Sequence, residues 1–215
     1  MQQRMATRSA ALVAFVLLCF GYVPAAGAGE ATEQVRQTVE QIRSVFKDRD
    51  LNKPEKKKQR NARLRTIVEG RFDFEEMSKR SLGLHWSKRT PEEQREFVSL
   101  YKDLLEDVYL RKLEQHESKI KEHVEDKVVY LDERTEGSYA LVRTAVVTKG
   151  GKEVRLDYRL LRKNEKWEVY DVYIEGVSLV NNYRKQFSQI IRSGSYEDLL
   201  KRLRAKSFKE PEEKP

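Results

Sequence analysis

The feature that most constrains the fold is a change of hydrophobic period within residues 170–187, YDVYIEGVSLVNNYRKQF. The first half alternates as a strand does, and Glu175-Gly176 then breaks the run. Ser178 can cap a helix, on which apolar side chains recur at helical spacing: Leu179, Tyr183, Phe187 and Ile191. A strand and a helix joined this closely must pack against each other or hold something between them.

The first residues have the pattern of an export signal. Arg4 and Arg8 supply positive charge, residues 10–20 are apolar, and Ala26-Gly27-Ala28 offers a small-residue cleavage site. The sequence therefore predicts a signal peptide over residues 1–28 that is cleaved after export. An uncleaved membrane anchor is the alternative. A lipoprotein is disfavoured, because Leu18 is large for the residue before a lipidated Cys19.

Cleavage leaves a chain without cysteine, since Cys19 is the single cysteine of the 215 residues. Neither a disulfide framework nor a thiol nucleophile is then possible. The formal net charge of +8 would allow a nucleic-acid partner, but export argues against one and favours weak attraction to anionic membranes. We expect one domain over residues 29–208 and a disordered tail over residues 209–215.

The order of patterns is helices, then four strands, then helices, which predicts an α+β fold. We expect a twisted four-stranded antiparallel meander packed against several helices, as in an NTF2-like cone. Thr90-Pro91 with Glu93 forms a capping box that starts the best-marked helix. Its apolar stripe includes Tyr101 and Leu105; most of the stripe is expected to be core, with two or three residues reaching a cavity.

The strand register can be counted if each hairpin has a two-residue turn, at Glu136-Gly137, Gly150-Gly151 and Asn164-Glu165. Tyr158 then faces Arg143 and Asp171, with Tyr130 beyond. The same face is otherwise apolar and is assigned to the interior: Leu141, Ala145, Val147, Val154, Leu156, Leu160, Val169 and Tyr173. The polar row Tyr130, Arg143, Tyr158 and Asp171 is either a structural ion pair or a recognition site at the mouth of a cavity.

Several spaced blocks resemble the MlaC family, also called the toluene-tolerance family. The downstream blocks are residues 156–160 (LDYRL), Lys166-Trp167, residues 175–179 and residues 182–184. Residues 72–74 and 81–83, His85-Trp86 and Thr90-Pro91 with Phe97 occur upstream in the same order. The resemblance covers nearly the whole chain after the export signal.

The resemblance implies a periplasmic carrier that binds a phospholipid with its tails between sheet and helices, without any other cofactor. Its implied partners are an inner-membrane ABC transporter with an MCE-domain subunit and an outer-membrane lipoprotein complex, and its role is to maintain outer-membrane lipid asymmetry. A hopanoid cargo stays open. The chain is expected to act as a monomer. The candidate lipid-binding residues are Tyr101, Leu105, Leu141, Ala145, Val147, Val154, Leu156, Tyr158, Leu160, Val169, Tyr173, Leu179, Tyr183 and Phe187.

Two other classes of protein remain as alternatives. Asp171 with Tyr158 and Arg143 is the one constellation that could serve an enzyme, and His85, His116 and His123 lack metal-ligand spacing. We therefore expect neither a catalytic nor a metal site. A lipid-free adaptor would pack the predicted interior shut, whereas a carrier would leave an apolar cavity there.

Overall fold

The computed structural model describes residues 29–115, 124 and 126–208. The predicted signal peptide, the predicted tail, His116 and His123 lie outside these residues. Within the described part, four α-helices precede the sheet and two follow it, so the predicted α+β class is confirmed. None of the described helices is both long and apolar enough to cross a membrane.

The elements have the following bounds. The helices are α1 (Glu30–Lys47), α2 (Lys57–Glu69), α3 (Phe74–Leu82), α4 (Pro91–Gln115), α5 (Leu179–Ser193) and α6 (Tyr196–Arg204), with short 3-10 helices at Pro54–Lys56 and Gly83–Lys88. The strands are β1 (Lys127–Glu136), β2 (Tyr139–Val147), β3 (Glu153–Lys163), β4 (Lys166–Ile174) and β5 (Val177–Ser178).

The predicted helix starts are confirmed by their caps. Ser178 accepts a hydrogen bond from the backbone N–H of Asn181 at 2.9 Å and so caps α5. At α4, the Thr90 N–H donates to Glu93 at 2.8 Å and the Glu93 N–H donates to the Thr90 hydroxyl at 3.3 Å, which is a capping box. These side chains satisfy backbone donors that the first helical turn leaves free.

The sheet is an antiparallel meander of five strands in the order β1-β2-β3-β4-β5, not four strands. The extra strand is the two-residue β5, which pairs with the end of β4. Glu175 and Gly176 make the turn between them, with φ of 48° and 77°. The period switch seen in the sequence is therefore a hairpin followed at once by α5.

The predicted register is wrong for β2 and β3, because their loop has five residues and not two. Val147 pairs with Glu153, so Thr148 to Lys152 all lie in the loop. The Thr148 hydroxyl accepts from the Lys152 N–H at 3.1 Å, which closes the longer loop. Tyr158 consequently pairs with Val142 and not with Arg143. A shift of one residue moves every side chain of β2 to the opposite face.

The predicted register of β3 and β4 is correct near the turn and wrong beyond it. Lys163 pairs with Lys166 across the two-residue turn, as expected. A β-bulge then shifts the pairing between Arg159 and Leu160, leaving Tyr170 as the extra residue on β4. Tyr158 therefore faces Val172, and Asp171 pairs with Arg159 on the other face.

The first hairpin differs from the prediction in its turn. Glu136 pairs with Tyr139, so the turn residues are Gly137 and Ser138. This turn places Asp132 opposite Arg143, and a second irregularity between Tyr130 and Asp132 leaves Leu131 as the extra residue. We call the two sides of the sheet the Tyr158 face and the Arg159 face, after adjacent residues of β3.

Two buried clusters surround these faces. Helix α1 covers the Tyr158 face, where Val35 packs with Val142 and Leu160. Helices α3 to α6 form a larger cluster that includes Tyr101 and Phe187. Residues 71–73 cover the free edge of β4, since the Val169 N–H donates to the Arg71 carbonyl and the Asp73 N–H to the Val169 carbonyl, both at 2.9 Å.

Candidate functional site

An apolar cavity of about 330 Å³ lies between the Tyr158 face and the helices. Helices α1 and α2 supply part of its wall: Val35, Thr38, Val39, Ile42, Leu64, Arg65 and Val68. Residues 71–77 and helix α4 supply another part: Arg71, Phe72, Phe74, Met77, Leu105, Glu106, Tyr109 and Leu110. The sheet and the start of α5 complete it: Tyr158, Val169, Val172, Ile174 and Leu179.

Helical periodicity explains how the helices build this wall. On α1, Val35, Val39 and Ile42 recur at spacings of four and three, so they share one face of the helix. Leu64 and Val68 on α2, and Leu105 and Tyr109 on α4, are each four apart. Three helices therefore turn apolar stripes toward one space, which is large enough to admit a ligand and lies near the lower end of the roughly 300 to 1,000 Å³ usual for ligand sites.

Four of the candidate lipid-binding residues line this cavity: Leu105, Tyr158, Val169 and Leu179. Burial raises the pKa of the Tyr158 phenol to about 12, with a hydrogen bond to Thr144 acting in the opposite direction. The hydroxyl is thus neutral at physiological pH. It offers the cavity a polar tip without charge.

Three other candidates lie in the packed core between α4 and α5 and not on the cavity wall. Tyr101, Tyr183 and Phe187 are fully buried, with the Tyr101 ring 5.3 Å from each of the other two ring centroids. The Ser81 hydroxyl donates to the Tyr101 hydroxyl at 3.1 Å. Their predicted helical spacing is correct, but their rings contact one another in the core and do not line the cavity.

Three candidates lie on the Tyr158 face but outside the cavity wall: Val154, Leu156 and Leu160. Leu160 is fully buried in the cluster beneath α1, where it packs with Val142. Leu156 pairs with Thr144 on one side and Ile174 on the other. Their assignment to the interior face is correct, but among the β3 residues only Tyr158 lines the cavity.

The last four candidates point to the Arg159 face, away from the cavity: Leu141, Ala145, Val147 and Tyr173. The register shifts described above are the reason. Leu141 pairs with Arg159 itself, and the Arg159 guanidinium lies 4.7 Å from the centroid of the Tyr173 ring. Val142 and Val172 take the inward positions that the sequence assigned to their neighbours.

The predicted polar row does not exist. Arg143 donates from Nε and Nη2 to the two carboxylate oxygens of Asp132, each at 2.5 Å, on the Arg159 face. This bidentate pair holds the pKa of Asp132 below its usual value. Tyr130 is on the opposite face and packs beside Tyr158, with the Arg36 guanidinium 4.1 Å from its ring centroid.

Asp171 has a structural role in place of the predicted one. Its Oδ2 accepts from the Ser178 hydroxyl at 2.6 Å and its Oδ1 from the Val180 N–H at 3.0 Å. Burial raises the pKa of this carboxyl, and the hydrogen bonds act against that shift. Asp171, Tyr158 and Arg143 are therefore not assembled as an acid/base constellation.

The other polar groups at the cavity come from residues that the sequence analysis missed. Arg71 donates to the Thr38 hydroxyl at 2.8 Å, to Gln34 at 2.5 Å and to the Trp167 carbonyl at 3.3 Å, which ties α1 to the start of β4. Burial lowers the pKa of Arg71. Arg65 and Glu106 form an ion pair of 2.6 Å from α2 to α4.

The missed lining residues had a detectable pattern in part. The stripes of Val35, Val39 and Ile42 on α1 and of Leu64 and Val68 on α2 are visible in the sequence. A stripe of this kind is equally compatible with a closed core and with a cavity wall. No group of His, Cys, Asp or Glu suited to a metal ion occurs among the residues that the structure describes.

Comparisons with known proteins agree with this architecture. Seven chains of solved structures match, among them a phospholipid-binding protein from Ralstonia solanacearum in complex with a phospholipid. That structure is 26% identical in sequence, with a TM-score of 0.67, and the match covers 83% of this chain and 97% of the other. No curated protein sequence matches. A family model described as MlaC protein matches residues 36–205. Because this match spans most of the chain, the protein belongs to the MlaC family.

Proposed function

We propose that this protein is a periplasmic carrier that binds one phospholipid and moves it between the inner and outer membranes. The observation that carries the proposal is the apolar cavity of about 330 Å³ enclosed by α1, α2, α4 and the sheet. Membership of the MlaC family and the phospholipid bound by the Ralstonia solanacearum relative support it. Both point to binding and transport, not to catalysis.

The cavity suits acyl chains because its wall is almost entirely apolar. Each methylene removed from water is worth about 0.8 kcal/mol, so covering the acyl tails with an apolar wall is strongly favourable. A bilayer offers the same tails an equally dry environment. A carrier therefore needs approximate parity with the membrane, which favours nonspecific packing by residues such as Val39, Leu64 and Val172.

A lipid-free adaptor is disfavoured by the same cavity. An adaptor would gain stability by closing its interior, because a packed core avoids the cost of empty apolar space. Here Val169 and Leu179, which an adaptor would pack shut, both line the cavity. The residue pattern on the cavity wall thus supports a ligand-binding role.

The remaining parts of the proposal concern location and partners. The pattern of residues 1–28 predicts export, and the family resemblance implies the periplasm. We propose that the monomer receives and delivers lipid at an inner-membrane ABC transporter with an MCE-domain subunit and at an outer-membrane lipoprotein complex. By this exchange it would help to maintain outer-membrane lipid asymmetry.

The test is to purify the mature protein from a bacterial host, extract it with organic solvent and identify copurifying lipid by mass spectrometry. We expect about one phospholipid for each chain. Absence of stoichiometric lipid would overturn the carrier proposal. A hopanoid in place of a phospholipid would overturn the proposed cargo.

A further inference from the structure

The rim of the cavity between α2 and α4 carries charge on both helices. Arg65 follows Leu64 on α2, and Glu106 follows Leu105 on α4, so each charged residue flanks an apolar stripe that enters the cavity. The third charged lining residue, Arg71, already donates to α1 and β4. Arg65 lines the cavity and its side chain is 41% exposed, so its ion pair with Glu106 lies between the apolar wall and solvent.

A second ion pair lies one helical turn away. Lys102, four residues before Glu106, pairs with Glu69, four residues after Arg65. Lys102 also lies 3.8 Å from Glu106 Oε1. We call Arg65, Glu69, Lys102 and Glu106 the rim quartet. It carries two positive and two negative charges, and like charges lie diagonally across the two helices.

Glu106 is incompletely satisfied. Its Oε2 accepts from Arg65 Nε at 2.6 Å. Its Oε1 is buried and accepts no hydrogen bond from any group in the described part of the chain. A carboxylate can accept several hydrogen bonds, and an unsatisfied buried acceptor is costly. An N–H or O–H donor from a ligand would satisfy this oxygen once the Arg65 or Lys102 side chain moves aside.

We propose that the rim quartet binds the head group of the carried lipid and favours a zwitterionic head group over an anionic one. The proposal rests on the carrier function proposed above. With the tails in the cavity, the phosphate would face Arg65 and Lys102, and an ammonium group would donate to Glu106. A glycerol head group has no positive charge, so its phosphate would leave the two carboxylates without a cationic partner from the lipid.

The exchange of partners has a low cost at three of the four residues, because their side chains are partly exposed; Glu106, at 16%, is the exception. The side chains of Arg65, Lys102 and Glu69 are 41%, 32% and 38% exposed. Ion pairs at such sites typically contribute no more than about 1 kcal/mol. A lipid can thus replace them without a large penalty. The expected selectivity is about fivefold, the ratio to which about 1 kcal/mol corresponds.

The test uses the full chain expressed in a host whose membranes contain both phosphatidylethanolamine and phosphatidylglycerol. The ratio of the two lipids bound to the purified protein is compared with the ratio in the host membrane. We expect the wild type to be enriched about fivefold in the ethanolamine lipid. Glu106→Gln should bring the bound ratio close to that of the membrane.

Glu69→Gln changes a more exposed position and should shift the ratio of bound lipids in the same direction by a smaller amount. It replaces Glu106→Gln as the test if that variant does not fold. Arg143→Gln is the matched control, since it breaks an ion pair on the Arg159 face and should leave the ratio unchanged. A wild-type ratio equal to that of the membrane, or an enrichment that survives both glutamine variants, would overturn the proposal. Absence of any bound lipid would instead overturn the carrier function itself.

Discussion

The Ser178 hydroxyl donates a 2.6 Å hydrogen bond to Asp171, whose second oxygen accepts from the Val180 N–H at 3.0 Å. This contact joins the end of β4 to the first turn of α5. A carboxylate at a helix N-terminus is stabilised by the free N–H groups there. Asp171 therefore fixes the angle at which α5 leaves the sheet and brings Leu179 to the cavity.

Asp171 should make stability depend on pH in a defined direction. Burial raises the pKa of Asp171 in the folded state above its ordinary value of 3.8, so folding favours the protonated form. The stability it contributes is complete below about pH 3.8 and is lost as pH rises through the folded-state pKa. Asp171→Asn removes this loss. The difference in free energy of unfolding between variant and wild type, from urea titrations, should grow in favour of the variant across that range; a flat or falling difference would contradict the assignment.

The register can be tested at two adjacent residues of β2. Val142 is fully buried on the Tyr158 face, whereas Leu141 lies on the Arg159 face. Val142→Trp overfills a packed site and should lower the free energy of unfolding by about 1 to 3 kcal/mol. Leu141→Trp should cost well under half as much. Equal costs, or a larger cost for Leu141→Trp, in chemical denaturation would show that the register is wrong.

Asp73 combines a helix cap with an ion pair. It accepts from the Glu76 N–H at 2.9 Å at the start of α3 and pairs with Lys163 at 2.6 Å. Asp73→Ala removes both contacts and should cost about 2 kcal/mol. Asp73→Asn keeps a capping oxygen and should cost less than half of that. Thermal unfolding of both variants compares the contribution of the cap with that of the ion pair. An asparagine variant as unstable as the alanine variant would show that the cap is not the larger contribution.

Local sequence patterns were sufficient for the helices and their caps. Ser178, Thr90 and Glu93 act as their positions predict, because capping depends only on residues within one turn. The turn at Asn164 and Glu165 was also predictable, since both residues take positive φ in a two-residue hairpin.

The strand register could not be obtained in the same way. Gly150-Gly151 has the composition of a two-residue turn, yet Thr148 and Lys152 close a longer loop around it. The bulge at Tyr170 has no local signature, because tyrosine is a common strand residue. Its ring packs into the helical cluster, with the Arg80 guanidinium 4.1 Å from its centroid, so tertiary packing causes the shift.

The cavity was only partly predictable for a related reason. Tyr101 and Leu105 lie on the same helical stripe, but Tyr101 enters the core and Leu105 reaches the cavity. Which one meets a ligand depends on where α1 and α2 lie relative to α4. That arrangement is a property of the whole fold, and no window of sequence encodes it.

The central claim is that the cavity beside Val172 holds the acyl chains of a lipid. Val172 lines the cavity and the next residue, Tyr173, lies on the Arg159 face, so the pair forms a matched test. The number of lipid molecules bound per protein chain is measured by mass spectrometry on purified Val172→Trp and Tyr173→Trp. Circular dichroism shows whether both variants are folded. We predict that folded Val172→Trp loses most of its bound lipid and that Tyr173→Trp retains it. A folded Val172→Trp that carries as much lipid as the wild type would contradict the account.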